Sequence, residues 1–223
     1  MKYIYCFLLL LFFGLASAQA PGYLGKKTFI EYDLFYMLAI GGPTVNNNTF
    51  SFDNLAISTR HNFQLNHVVS RSGVLGISFD FLKTGIQIDY IDDEDNIQTN
   101  FSTLKVNAIG LQYDKYFMKL GSLAPIGFYH HFEVKLISAR PLALPFNEVV
   151  QRTTYTGYGI GMKKVFKNRF FINFSGQVGW TWGDRSFNRS RDDFKRNIQK
   201  QINLRLYSNY IFENNFGIGI LLF

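Results

Sequence analysis

Phe170-Phe171-Ile172-Asn173-Phe174-Ser175-Gly176-Gln177-Val178-Gly179-Trp180-Thr181-Trp182 alternates at almost every step. Phe170, Ile172, Phe174, Val178, Trp180 and Trp182 fall on one side, and Asn173, Ser175, Gln177 and Thr181 on the other. Successive side chains of a strand point to opposite faces, so a period of two predicts a strand with one apolar and one polar face.

The same rhythm extends in both directions. Upstream, Thr28 to Leu38 sets Ile30, Tyr32, Leu34, Tyr36 and Leu38 against Glu31 and Asp33. Leu55 to Val69 sets Phe63 and Leu65 against Ser58, Arg60, Asn62, Gln64 and Asn66. Leu75, Ile77, Phe79 and Phe81 alternate with Gly76, Ser78 and Asp80. Between Phe101 and Phe117 the apolar parity changes, from Leu104, Val106 and Ala108 to Ile109, Leu111 and Tyr113, which predicts a β-bulge near Ala108. Phe128, Phe132, Val134 and Leu136 oppose Tyr129, His131, Glu133 and Lys135, and Tyr158, Ile160 and Met162 oppose Gly157, Gly159, Gly161 and Lys163. Downstream, Ile202, Leu204 and Leu206 against Gln201, Asn203 and Arg205 predict an eighth strand, before the closing run Phe216-Gly217-Ile218-Gly219-Ile220-Leu221-Leu222-Phe223. Glu213-Asn214-Asn215 fits either a hairpin turn, giving a tenth strand, or a bulge in one long final strand; the bulge and eight strands are favoured.

Short links at 71–73, 119–125 and 166–169 alternate with long ones at 39–54, 85–100, 140–151 and 183–198. Short turns at one end and long loops at the other are the pattern of an all-β, antiparallel, up-and-down transmembrane barrel. A soluble sandwich or lipocalin-like barrel would also alternate, but would bury its apolar face. Tyr36, Phe117, Phe166, Phe170, Trp180 and Trp182, near strand ends, suit the aromatic girdles of a membrane barrel. The polar faces place Glu31, Asp33, Arg60, Asp80, Lys105, Asp114, Glu133, Lys135, Lys163 and Arg205 inside, five acids and five bases. Eight strands leave room for little beyond their own side chains, so a closed, ion-paired lumen is expected.

Met1-Lys2, the apolar run from Tyr3 to Leu15 and the small residues Ala16-Ser17-Ala18 have the layout of a secretory signal peptide cleaved after Ala18. The run is shorter than the roughly 20 apolar residues of a spanning helix. Residues 19–223 would then form the barrel. Cys6 lies within the leader, so the mature chain would have neither a disulfide nor a cysteine metal site. Removing Lys2 lowers the formal charge from +7 to +6. Aromatic residues make up 17% of the chain, with 24 Phe and 13 Tyr, more than a soluble domain ordinarily needs.

Two segments, Ala18-Gln19-Ala20-Pro21-Gly22-Tyr23-Leu24-Gly25-Lys26-Lys27 and the terminal FGIGILLF, resemble the small outer-membrane β-barrel proteins of Bacteroidota, of the eight-strand OmpA/OmpX type. The resemblance implies an envelope location and a barrel fold, and supplies no activity. Phe223 also resembles the terminal aromatic by which such barrels are recognised by the barrel-assembly machinery.

Candidate chemistry is sparse, and no catalytic, cofactor or metal residue is assigned. His130 and His131 are strand neighbours that face opposite sides and cannot share an ion, and His61 and His67 are too far apart along their strand. Asp92-Asp93-Glu94-Asp95 lacks the regular D-x-D-x-D-G spacing of a Ca²⁺ loop and reads as a solvated acidic loop. Arg185, Arg189, Arg191, Lys195 and Arg196, against Asp184, Asp192 and Asp193, suit either contact with lipopolysaccharide head groups or simple solubility. Gly157, Gly159 and Gly161 lie on one strand face with no following helix to receive a phosphate, so close packing inside the barrel explains them better. Nucleic acid is not an expected partner.

Two function classes remain. One is a monomeric, non-enzymatic structural or interaction barrel, porin-like in fold, in the outer membrane of a Gram-negative cell. The other is a lipid-modifying acyl hydrolase or acyltransferase, or else a narrow channel. The H-x-S pair of lipid A deacylases is absent, since neither His130 nor His131 has a serine two residues on.

Overall fold

The computed structural model describes residues 25–39, 56–91, 97–120, 123–142, 146–183 and 193–223. The expected leader, residues 1–18, lies outside them. Eight strands, β1 (Thr28–Ala39), β2 (Ala56–Ser70), β3 (Gly73–Ile91), β4 (Ile97–Tyr116), β5 (Gly127–Pro141), β6 (Gln151–Phe166), β7 (Phe170–Gly183) and β8 (Phe212–Leu221), form a closed barrel. Each pairs antiparallel with the next, and β8 pairs with β1. Tight links such as Arg71-Ser72 and 167–169 lie at one end, the turn end, and the longer connections at the other, the loop end.

The registers stagger around the wall. Direct partners lead from Thr28 through His67, Leu75, Tyr113, Phe132, Tyr158, Val178 and Phe212. Continuing the β8 to β1 register reaches position 38, ten residues beyond the start. Eight strands with this stagger make a cylinder whose interior is filled by side chains.

Four expectations are corrected. Residues 201–206 are not a strand but part of a helix, α1 (Asp193–Tyr210), lying in the connection between β7 and β8. Its fully buried hydrophobic positions, Ile198, Ile202, Leu206 and Tyr210, recur every four residues, a helical face that enters the barrel at the loop end. The closing strand is β8, in which Glu213-Asn214-Asn215 is neither turn nor bulge but regular pairing, all three residues with β7 and the two asparagines also with β1. Near Ala108 there is likewise no bulge, because β4 keeps continuous register with β3 and β5. The parity change has another cause: Leu104, Val106 and Ala108 point inward against α1, whereas Ile109 and Leu111 point outward. The connection expected at 85–100 is largely strand, since β3 and β4 continue as a hairpin to Ile91 and Ile97.

β8 is shorter than its neighbours. β7 follows β6 to Gly183 but β8 only to Val178, and β1 follows β2 to Ala39 but β8 only to Tyr36. The end of α1 occupies the notch so formed. The Gly179 amide donates to the Ile211 carbonyl at 3.0 Å, and Tyr207 packs edge-on against Trp180 at 5.2 Å between ring centres.

The outer face is a band of exposed apolar side chains, including Leu111, Leu136 and Ile160 at 60–63% exposure. The inner face along the same strands carries buried Glu31, Asp33, Arg60, Asn62, Asp80 and Asp114. A water-soluble barrel has the reverse polarity. Aromatics mark both rims: Phe166, Phe170 and Phe223 at the turn end, Trp180, Trp182 and Phe212 at the loop end. The Phe223 carbonyl accepts hydrogen bonds from the Lys27 and Thr28 amides at 2.6 Å each, extending the seam between β8 and β1.

A wall without free edges resists detergent unfolding. The purified barrel is expected to run faster on a gel unheated than boiled; identical migration would contradict closure. Truncating Ile202 to Ala opens a void between α1 and the wall, and is expected to lower stability in micelles by about 2–5 kcal/mol by urea titration.

Candidate functional site

The barrel interior is the candidate site, and it is layered. At the loop end an apolar layer joins α1 to Leu82, Ile86, Ile88, Leu104, Val106, Ile137, Ala139 and Tyr155. At the turn end a second apolar layer contains Phe29, Val68, Val74, Tyr116, Ala124, Tyr129, Phe171 and Leu221. Between them lie the charged side chains, each a strand residue whose parity points it inward.

These charges form one continuous chain. Arg60 on β2 grips Glu213 on β8 with both terminal nitrogens, Nη2 to Oε2 at 2.8 Å, while Nε lies 3.4 Å from Asp80. Its guanidinium is held between the rings of Phe35 and Tyr210, 4.0 and 4.6 Å from their centres, so α1 touches the ionic layer through Tyr210. Lys135 bridges Asp80 at 2.7 Å and Glu133 at 2.8 Å. His131 follows, Nδ1 2.7 Å from Asp114 and Nε2 3.8 Å from Glu133. Lys163 then joins Asp114 at 3.0 Å to Glu31 at 2.7 Å, with its ammonium about 5 Å from the Phe29 and Tyr129 ring centres. The chain draws on β1, β2, β3, β4, β5, β6 and β8, and Gln177 on β7 donates to Glu213.

Amides partner part of what the cations leave. Asp33 makes no ion pair with a described residue; Gln64 and Asn173, the latter at 3.3 Å, donate to it. Gln64 also donates to Asn62 at 2.7 Å, and Asn66 to Gln64 at 3.0 Å, forming a ladder along β2 that Gln112 joins from β4. A buried polar group is tolerated when it is hydrogen-bonded, and a buried charge when it is paired as well.

Eight of the ten expected inward charges are inside. Lys105 is not: it lies on β4 between inward Leu104 and Val106 and so faces outward. Arg205 belongs to α1 and donates to Thr84 at 3.0 Å. Glu213 and His131 were missed as members of the network. With Glu213 included, the buried carboxylates Glu31, Asp33, Asp80, Asp114, Glu133 and Glu213 outnumber Arg60, Lys135 and Lys163, so the five-to-five balance does not hold. Even parity on β8, continued back from Ile218 and Phe216, would have put Glu213 inside.

His130 and His131 do face opposite sides: His131 enters the network, and His130 stands outside against Phe117, with the Tyr158 hydroxyl 2.6 Å away. His61 and His67, also outward, pair with Tyr32 and Thr28 at 2.6 and 3.0 Å. The inward glycines of β6 make room for rings, since a Cβ on Gly157 would stand 2.5 Å from the Tyr155 hydroxyl and one on Gly161 2.5 Å from the Tyr129 ring. The acidic stretch 92–95 and Arg185, Arg189 and Arg191 lie outside the described residues, while Lys195 and Arg196 fall on α1. Among the described residues, no group of three or more His, Cys, Asp or Glu side chains is placed to hold a metal ion.

The fold and its interior define a closed, eight-strand, all-antiparallel up-and-down barrel with the inside-polar, outside-apolar arrangement of transmembrane barrels. Among solved structures, the N-terminal β-barrel domain of Pseudomonas aeruginosa OprF is similar at 10% identity and a TM-score of 0.43, over 87% of this chain and 97% of that one. Neither a known protein family nor a curated protein matches the sequence.

Arg60→Ala would leave Glu213 and Asp80 buried without their guanidinium. It is expected to destabilise the barrel by about 3–5 kcal/mol in micelle unfolding, with R60A/E213Q recovering part of the loss. A change below about 1 kcal/mol would show that the pair is not integral to the network.

Proposed function

We propose that this chain is a structural and interaction barrel of the outer membrane of a Gram-negative cell, delivered by a cleaved leader and the barrel-assembly machinery. It works as a monomer, is not an enzyme, and presents its long connections at the surface, in contact with outer-membrane lipid and lipopolysaccharide. The observation that carries this reading is the polarity of the wall: apolar side chains face out along the strands whose inward positions hold a continuous ion-paired chain. Such an outer face is stable in hydrocarbon, where charged side chains are costly, and such an inner face is stable only when shielded from it.

The filled interior argues for scaffolding over transport. Side chains reach across the lumen from opposite strands, and an apolar layer lies on each side of the charges. The lipid-modifying alternative draws no support from His131, whose ring nitrogens face Asp114 and Glu133 rather than a serine. Ser78, which approaches this layer, donates to Glu133 at 3.0 Å.

Cell fractionation is expected to recover the chain in the outer membrane, and planar-bilayer recordings of the purified barrel to show no steady large conductance. A reproducible wide-pore current would overturn the closed-lumen reading. An altered acylation pattern in the envelope lipids of a deletion strain would favour the enzyme.

A further inference from the structure

We propose that Lys83, Lys105, Arg140 and Arg152 form a docking belt on the outside of the barrel for the phosphate groups of outer-leaflet glycolipid. The inference rests on the membrane-barrel reading and adds to it a site and a ligand chemistry.

All four residues point outward, three of them exposed and Lys105 half-buried. Lys83 pairs directly with Lys105 across β3 and β4, and Lys105 directly with Arg140 across β4 and β5. Arg152 on β6 is opposite Ser138, two residues closer to the turn end than the position facing Arg140. A row of direct partners climbs ten residues over eight strands, a little more than one residue per strand towards the loop end. The two-residue offset of Arg152 therefore removes about half of the climb from β3 to β6. The four side chains lie within roughly 8 Å of a common height on adjacent strands.

That height lies towards the upper end of the apolar band, with the exposed Leu142 and Val150 two positions beyond Arg140 and Arg152. Phe81 is two residues below Lys83 on the same face, and Leu136 is four below Arg140, both exposed. Trp180 and Trp182 reach the same level on β7, where aromatic rings mark the boundary between hydrocarbon and head groups. Cations at this boundary meet lipid phosphates first.

Their electrostatics call for a counter-charge. Like charges directly opposite on neighbouring strands destabilise a sheet, and here two such pairs run in sequence. None of the four makes an ion pair with a described residue, and Glu148, the exposed carboxylate nearest to Arg152 in the chain, pairs with none of them. Two lysines and two arginines across four strands match a head group bearing more than one phosphate, with arginine able to grip a phosphate through two nitrogens.

The test uses the full-length mature protein in detergent, with diphosphoryl lipid A and the same glycolipid stripped of its phosphates as probes, and bound copies counted by native mass spectrometry. The wild type is expected to prefer the phosphorylated form at least roughly tenfold. K83Q/K105Q/R140Q/R152Q is expected to lose that preference, whereas K115Q/K164Q, which removes outward cations near the turn end, keeps it. Equal binding of the two lipids by the wild type, or a preference that survives the fourfold substitution, overturns the belt. Heat-dependent gel migration, run on the same samples, separates this result from a failure of the barrel reading: an intact barrel without preference refutes the belt alone.

Discussion

A strand that crosses hydrocarbon can leave no backbone amide or carbonyl unpaired, and this obligation organises the molecule. Closing β8 onto β1 meets it, and the ten-residue stagger of the eight strands then sets an interior about as wide as two opposed side chains. Alternate residues have nowhere to go but into that space. Where they are charged they must be paired or hydrogen-bonded at short range, and the chain from Glu213 through Arg60, Lys135, His131 and Lys163 to Glu31 pairs most of them by drawing on almost every strand. The ion pairs are a consequence of closure rather than its driving force, since buried pairs are easily matched in stability by apolar packing. What they add is registration, because a one-residue slip of any strand would turn its charge out into the apolar band.

Much of this was legible in residue order because period two has few other meanings. The run from Phe170 to Trp182 and the five polar positions from Ser58 to Asn66 could be assigned faces without knowledge of their partners. The reading failed where two periods coincide. Ile202, Leu204 and Leu206 alternate over five residues as a strand would, but Ile198, Ile202, Leu206 and Tyr210 repeat every fourth residue over a span too long for chance. A window wide enough to include Ile198 and Tyr210 separates the two. The expectation at Ala108 failed for a related reason. One apolar face per strand was assumed, whereas β4 is apolar on its inner face beside α1 and on its outer face lower down. Lys105 was drawn inside by the same misplaced parity. Glu213 was lost because Asn214 and Asn215 looked like turn residues, although in β8 they simply continue the alternation.

The layers divide the interior by chemistry. Phe35 and Tyr210 both belong to the boundary between charge and apolar packing, with the Arg60 guanidinium between their rings. This contact ties α1 to the ionic chain, so the helix is not an independent lid resting on the barrel. Lys163 is framed in the same manner near the other end by Phe29 and Tyr129. Aromatic faces accept cations while presenting hydrocarbon on their other side, which lets charge and packing adjoin.

The shortness of β8 bears on how such a chain can diversify over evolutionary time. The fourth loop-end connection folds into α1, fills the notch left by β8, and contributes Ile198, Ile202, Leu206 and Tyr210 to the interior. An insertion there would have to preserve a helix of set length and a set approach to Phe212. Lineages sharing this architecture should therefore record their history unevenly, with the fourth connection held nearly constant by packing, much as a keystone is held by the stones on either side.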